Sequence, residues 1–152
     1  AGGVALNAKM NGKLFNKANV ENIYIQPIAN DAGCALGGPM HLYNELTGKR
    51  PESINTVYLG PSYDNDSLIK ILKKSGLKYM ESSDIATDCA TMLADGKIVG
   101  WFQGRMEVGP RALGNRSILA DPSAPGMKDR INNKVKRRES WRPFATAQLL
   151  PL

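Results

Sequence analysis

The sequence is poor in the residues that most often build nucleophilic and metal sites. It has one histidine, His41, and two cysteines, Cys34 and Cys89, among 152 residues. Neither cysteine belongs to a CxxC pair, which removes zinc-ribbon and dithiol-redox readings. Both are flanked by small or acidic residues (Gly33 and Ala35; Asp88 and Ala90), a setting that predicts reduced, buried packing and a cytoplasmic compartment. A Ser-His-Asp triad would have to use His41, which stands beside Leu42 and Tyr43 on a predicted helix and reads as structural. One imidazole is also too few for a His-based metal site within the chain. No apolar run approaches the ~18 residues of a membrane span, and the first residues lack the basic n-region and apolar core of a signal peptide. The chain opens on alanine and ends on Leu-Leu-Pro-Leu, so a piece of a longer polypeptide is expected.

Acidic residues are scarce in one place. From Arg105 to Arg142 ten basic residues face only four acids (Glu107, Asp121, Asp129, Glu139), while the remainder holds ten of each. That segment therefore carries the whole net charge of +6. Charge focused in this way attracts an anion, either a small phosphate-bearing molecule or a nucleic-acid backbone.

What is present is ordinary for a globular protein: 42% hydrophobic and 22% charged residues, at a length of about one domain. Helices and strands alternate, which predicts an α/β or α+β fold. Short strands are expected at Val4–Leu6, Ile23–Ile25, Thr56–Leu59, Leu77–Met80, Ile98–Phe102, Ser117–Ala120 and Phe144–Leu150. Helices are expected from the Asn7 cap to Phe15, from Asp31 to Leu46 with Gly48 as the stop, over Asn65–Lys74, over Asp84–Leu93 and over Gly126–Arg137. In the Asn65–Lys74 helix Leu68, Ile69 and Leu72 should face inward and Lys70, Lys73 and Lys74 outward. The turn-forming residues of 48–66 mark a domain boundary.

Four groups of residues carry candidate chemistry. Gly2-Gly3 before an apolar segment suits either a simple turn or close approach of a nucleotide. Asp31 reads as a helix cap, or as a carboxylate ligand for a metal or phosphate site. The loop Gly104–Ser117 combines three glycines and a proline with Arg105, Arg111 and Arg116; rigid guanidinium forks match phosphate and carboxylate geometry. The segment Lys134–Phe144 is either a nucleic-acid patch, with Trp141 and Phe144 stacking on bases, or a solvated basic face with two core aromatics.

Taken in order, Gly2-Gly3-Val4-Ala5-Leu6-Asn7, Asp31-Ala32-Gly33-Cys34-Ala35-Leu36-Gly37, Gly100–Pro122 with its Gly-Arg-Met-Glu and Gly-Pro-Arg-Ala-Leu-Gly runs, and Lys136–Ala145 with Arg-Pro-Phe-Ala resemble the C-terminal part of NodU/CmcH-type O-carbamoyltransferases. The resemblance implies the end of an ASKHA-like domain at residues 1–60 and most of a YrdC-like domain at residues 61–152. It implies use of ATP and carbamoyl phosphate to make carbamoyl-adenylate, followed by carbamoyl transfer to a hydroxyl of a small-molecule acceptor. By residue, it implies catalytic and carbamoyl-phosphate roles for Arg111, Lys136 and Arg142, with Arg105, Arg116, Ser117 and Arg138 as further substrate contacts. Gly2, Gly3 and Asn7 match the nucleotide-binding turn, and Asp31 matches a ligand of a divalent metal, iron in the complete enzyme.

The resemblance also implies an N-terminal domain of the same polypeptide as partner. The family's metal-binding histidine pair would precede residue 1, and further basic residues would follow Leu152. Thr146 stands where the family has proline. A tRNA-modification or RNA-binding module is the rival reading, because YrdC-like proteins serve tRNA modification and the 105–142 segment is basic. A non-catalytic assembly domain is the second rival.

Overall fold

A computed structural model describes residues 2–149. It contains five helices and one two-stranded antiparallel sheet among these residues, a mixed architecture compatible with the α/β expectation. The chain forms two compact units. One comprises the residues up to Tyr63 together with Gln103–Asn115; the other comprises Asp64–Phe102 together with the chain from Arg116 onward.

In the first unit, α1 (Ala8–Lys17) begins where the Asn7 side chain accepts a hydrogen bond from the Met10 amide at 3.0 Å. This is the expected cap, satisfying an amide that has no intrahelical partner. A three-residue 3₁₀ turn, Asp31–Gly33, leads into α2 (Cys34–Thr47), which ends at Gly48 with φ 66°. That left-handed closure favours glycine. The helix runs unbroken through Gly37, Gly38 and Pro39. Ile28, 2% exposed, anchors the turn region: a Cβ on Gly33 would collide with the Ile28 carbonyl oxygen, and one on Gly109 would touch the Ile28 side chain at 3.6 Å.

In the second unit, α3 (Asn65–Ser75) is capped by Asp64, whose carboxylate accepts from the Ser67 amide at 2.8 Å, and stops at Gly76 with φ 68°. Leu68, Ile69 and Leu72 are half-buried while the three lysines face outward, as the spacing predicts. α4 (Ile85–Ala94) is capped by Asp84 and buries Cys89. β1 (Val99–Phe102) pairs with β2 (Arg116–Leu119), Val99 opposite Leu119 and Phe102 opposite Arg116. α5 (Met127–Arg130) continues as a wider π-type turn over Ile131–Lys136 and ends at Arg137 with φ 48°. Met127, Ile131 and Cys89 are the buried apolar side chains among the described residues of this unit.

Several expected strands do not form. Val4–Leu6 coils into a 3₁₀ turn, with Ala5 and Asn7 amides donating back to the Gly2 and Val4 carbonyls at 3.1 Å, and Val4 is 70% exposed rather than buried. Ile23–Ile25 and Leu77–Met80 are irregular, and so is Phe144–Leu149; the last expected residue, Leu150, lies outside the described residues. A strand is stable only against a neighbour, and β-rich composition supplies none. Thr56–Leu59 is an intermediate case. It forms no regular strand, yet the 57–61 segment runs against 106–108 through Val108 N–H to Val57 (2.7 Å), Gly60 N–H to Met106 (2.9 Å) and Met106 N–H to Pro61 (3.0 Å). Cys34, expected to be buried, opens α2 and is exposed, because that helix buries none of its residues.

Candidate anion-binding site

The loop Gln103–Asn115 is an arch built around one carboxylate. Glu107 is only 6% exposed, and its Oε1 accepts from the Leu113 amide at 2.7 Å and the Asn115 amide at 2.8 Å. The base of the arch is closed by Gln103 N–H to the Asn115 carbonyl (3.0 Å) and Asn115 Nδ2 to the Arg105 carbonyl (2.7 Å). Gly109 and Gly114 adopt φ 107° and 104°, which side chains rarely tolerate. The 57–61 segment braces the outside: Tyr58 Oη donates to the Leu113 carbonyl at 2.8 Å. Arg105 is part of this brace, since its Nη2 donates to the Leu59 carbonyl at 2.9 Å. Arg111 is different. It is exposed, and its guanidinium has no hydrogen bond or ion pair among the described residues.

The second basic group lies in the other unit, at the end of the π-type turn. Arg138 lies between partners: Nε donates to Asn132 Oδ1 at 2.8 Å, and its guanidinium sits 4.9 Å from the Phe144 ring centre. Arg142 pairs with Glu139 at 3.1 Å and lies 5.5 Å from the Trp141 ring centre, with Trp141 itself 71% exposed and not a core aromatic; both charges of the pair are about half exposed to water, so the pair contributes little stability. Lys136 is exposed with no partner among the described residues. Asn133, Arg137, Arg138 and Glu139 line a shallow open concavity of ≈ 540 Å³. Arg116 lies 3.6 Å from the centre of the Phe102 ring, and Ser117 stands opposite Trp101 in the sheet. The residues expected to bind carbamoyl phosphate are thus divided, Arg105 and Arg111 in one unit and Arg116, Ser117, Lys136, Arg138 and Arg142 in the other.

Two family models cover these segments. One described as Carbamoyltransferase C-terminus matches residues 90–150, and one described as Carbamoyltransferase N-terminus matches residues 1–40. The chain belongs to the carbamoyltransferase family. Nodulation protein NolO of Bradyrhizobium diazoefficiens is 49% identical over 98% of this chain and 28% of its own length. Nodulation protein U of Rhizobium tropici is 37% identical over 95% of the chain and 24% of itself. The 3'-hydroxymethylcephem-O-carbamoyltransferase of Streptomyces clavuligerus is 34% identical over 95% of the chain and 26% of itself. The chain therefore spans about a quarter of the length of these relatives, and it matches a C-terminal part of them.

The remaining expected site residues all lie in the first unit. Gly2 has φ 74° and Gly3 opens the 3₁₀ turn, so the Gly-Gly pair leads into a coil and not a strand. Asn7 uses its side-chain oxygen as the α1 cap, and beside it Lys9, Met10, Lys13, Leu14 and Lys17 line a concavity of ≈ 410 Å³. Asp31 is exposed and makes no capping hydrogen bond; the residue before the turn, Asn30, is its N-cap position and makes none either. Among the described residues no three His, Cys, Asp or Glu side chains gather as a metal site. Immediately next to Asp31, however, Asn30 Oδ1 is buried without a partner.

Two organising residues escape a reading by residue type alone. Glu107 is the one acid in an arginine-rich loop, and that isolation is the signal that could have found it. Asn132 is fully buried inside a basic helical segment; asparagine is disfavoured there unless its amide is used.

Proposed function

We propose that this chain contributes the carbamoyl-phosphate and nucleotide-binding parts of an ATP-dependent carbamoyltransferase that makes carbamoyl-adenylate, using water to release phosphate from carbamoyl phosphate and losing pyrophosphate from ATP. The carbamoyl group then passes to a hydroxyl of a small-molecule acceptor with AMP as the leaving group. The observation that carries the reading is the arch around Glu107. A buried carboxylate fixes the loop through backbone amides while the Arg111 guanidinium is left exposed and unspent. A cation held on a rigid loop binds an acyl phosphate and stabilises charge that develops on its oxygens without reorganising. Lys136 and Arg142 supply the same chemistry from the basic turn, and Arg105 and Arg116 serve by bracing their own loop and strand.

On this reading residues 1–60 end an ASKHA-like domain and residues 61–152 belong to a YrdC-like one, although the Gln103–Asn115 arch groups with the first compact unit. Asn7 lines the lysine-bearing concavity that would take the anionic part of ATP, and Gly2 and Gly3 open the turn that leads to it. Asp31 would hold a divalent metal. Its exposed carboxylate and the orphaned Asn30 oxygen are hard donors that suit such a cation, and the metal would polarise the acceptor hydroxyl. Two oxygens do not complete a coordination shell, so the remaining ligands come from the larger part of the polypeptide that the relatives carry outside the matched region. That part is also the partner for transfer, in a cytoplasmic enzyme. No helix among the described residues is long and apolar enough to cross a membrane.

Phe144 carries the Arg138 guanidinium on its ring, while Trp141 is 71% exposed and keeps the rival reading of a base-stacking module open to test. Carbamoyl-phosphate-dependent exchange of labelled pyrophosphate into ATP, measured on the longer polypeptide, tests the activity; the proposal requires exchange that Arg111→Ala abolishes, and exchange indifferent to carbamoyl phosphate would refute it.

A further inference from the structure

We propose that Asn132 is the positioning residue of the basic turn, the group that holds Arg137 through Arg142 in an anion-binding arrangement. This rests on the reading of that turn as a phosphate site. Asn132 has a relative exposure of 0%, and its polar atoms are directed at one segment. Its backbone carbonyl accepts from the amides of Arg137 and, at 3.0 Å, Arg138. Its Oδ1 accepts from Arg138 Nε at 2.8 Å. Its Nδ2 donates to the Arg142 carbonyl at 3.0 Å and the Ser140 carbonyl at 3.3 Å. One buried side chain thus orients a guanidinium and fixes the main chain on both sides of Trp141.

The arrangement has a cost that a purely structural turn would avoid. Arg137 is held at φ 48°, a left-handed conformation unfavourable for a non-glycine residue. Both hydrogen bonds to the Asn132 carbonyl come from that corner, one from Arg137 and one from its neighbour. The bend leaves Arg137 exposed on the rim of the open concavity beside Arg138. The π-type turn that precedes it widens the helix by one residue, which is what lets the carbonyl of residue 132 reach the amide of residue 137. Arg138 is restricted further by its contact with Phe144. Its Nε is spent on Asn132 and its Nη2 reaches the Pro143 carbonyl at 3.5 Å, so the anion meets the remaining Nη1 hydrogens of a guanidinium whose plane is already set.

The amide needs both ends. Asn132→Asp keeps the acceptor for Arg138 and loses the donor to the Ser140 and Arg142 carbonyls; Asn132→Ala loses all three side-chain bonds. Inorganic phosphate binding to this chain, measured by calorimetry with circular dichroism as the check of folding, tests the assignment. Asn132→Ala should weaken phosphate binding about tenfold, the loss ordinary for a charged hydrogen-bonding contact, with Asn132→Asp between it and the parent.

The triple variant Asn132→Ala/Arg138→Ala/Arg142→Ala should bind no more weakly than Arg138→Ala/Arg142→Ala within a factor of about two, because residues acting through one another are non-additive. Full additivity would show that Asn132 acts independently of Arg138 and Arg142 and would overturn the proposal. Unchanged binding in folded Asn132→Asp overturns it too, even where Asn132→Ala does not fold. If Arg142→Ala and Arg138→Ala also bind phosphate normally, the phosphate-site reading falls along with it.

Discussion

Glu107 Oε1 accepts a hydrogen bond from the Leu113 amide at 2.7 Å, and this contact spans the loop that presents Arg111. The carboxylate is buried, so removing it leaves the Leu113 and Asn115 amides without their acceptor. Glu107→Ala should cost about 1.5–3 kcal/mol, the range for hydrogen bonds to a charged group. Amide hydrogen exchange would show Leu113 and Asn115 losing protection together. Retained protection in that variant would mean the arch closes without Glu107.

Arg105 and Arg111 separate two uses of the same side chain. Arg105 donates to the Leu59 carbonyl, whereas Arg111 has no partner among the described residues. Denaturant unfolding should therefore register Arg105→Ala as a loss of about 0.5–1.5 kcal/mol and Arg111→Ala as nearly neutral. Anion affinity should show the larger loss in Arg111→Ala.

Acid should loosen α3 and α4 at their N-termini. Hydrogen bonds from Ser67, led by its backbone amide, hold the Asp64 carboxyl below its ordinary value, and Thr87, led by its hydroxyl, does the same for Asp84. A carboxyl whose folded value is depressed stabilises the fold above its unfolded value and loses that contribution as pH falls through the folded one. Helical circular dichroism should thus decline below the ordinary carboxylate range. The variant Asp64→Asn/Asp84→Asn keeps the capping oxygens and should flatten that decline; an unchanged acid profile would show that the caps are not its cause.

Asp31 tests the division of labour. In the longer polypeptide Asp31→Ala should lower metal content and carbamoyl transfer while leaving carbamoyl-adenylate formation largely intact. Loss of adenylate formation in a folded protein would show that the two half-reactions are not divided as proposed. Metal analysis and pyrophosphate exchange measure the two separately.

Helices were legible in the sequence where the chain carries its own stop and start signals. Asn7 caps α1 and Gly48 closes α2 as read from the sequence, and Asp64, Asp84 and Gly76 give α3 and α4 the same kind of local signal. These are local interactions, complete within a few residues. Strands were legible only at Val99–Phe102 and Arg116–Leu119, which find each other; Val4–Leu6, Ile23–Ile25 and Leu77–Met80 have strand-forming residues and no neighbour. The arginines were visible as a charge excess, but the distinction among them was not. Whether a guanidinium is spent on Leu59, on Phe102 or on nothing depends on segments distant in the chain.

The proposed function depends on the exposed cations themselves, Arg111 in the first unit and Arg142 in the second, each binding a phosphate-bearing anion. Calorimetric titration of this chain with carbamoyl phosphate measures that binding most directly. Binding should be detectable in the parent, and Arg111→Ala and Arg142→Ala should each lose about 1.5–3 kcal/mol of affinity, as for a charge-assisted hydrogen bond. Unchanged binding in both variants would contradict the account.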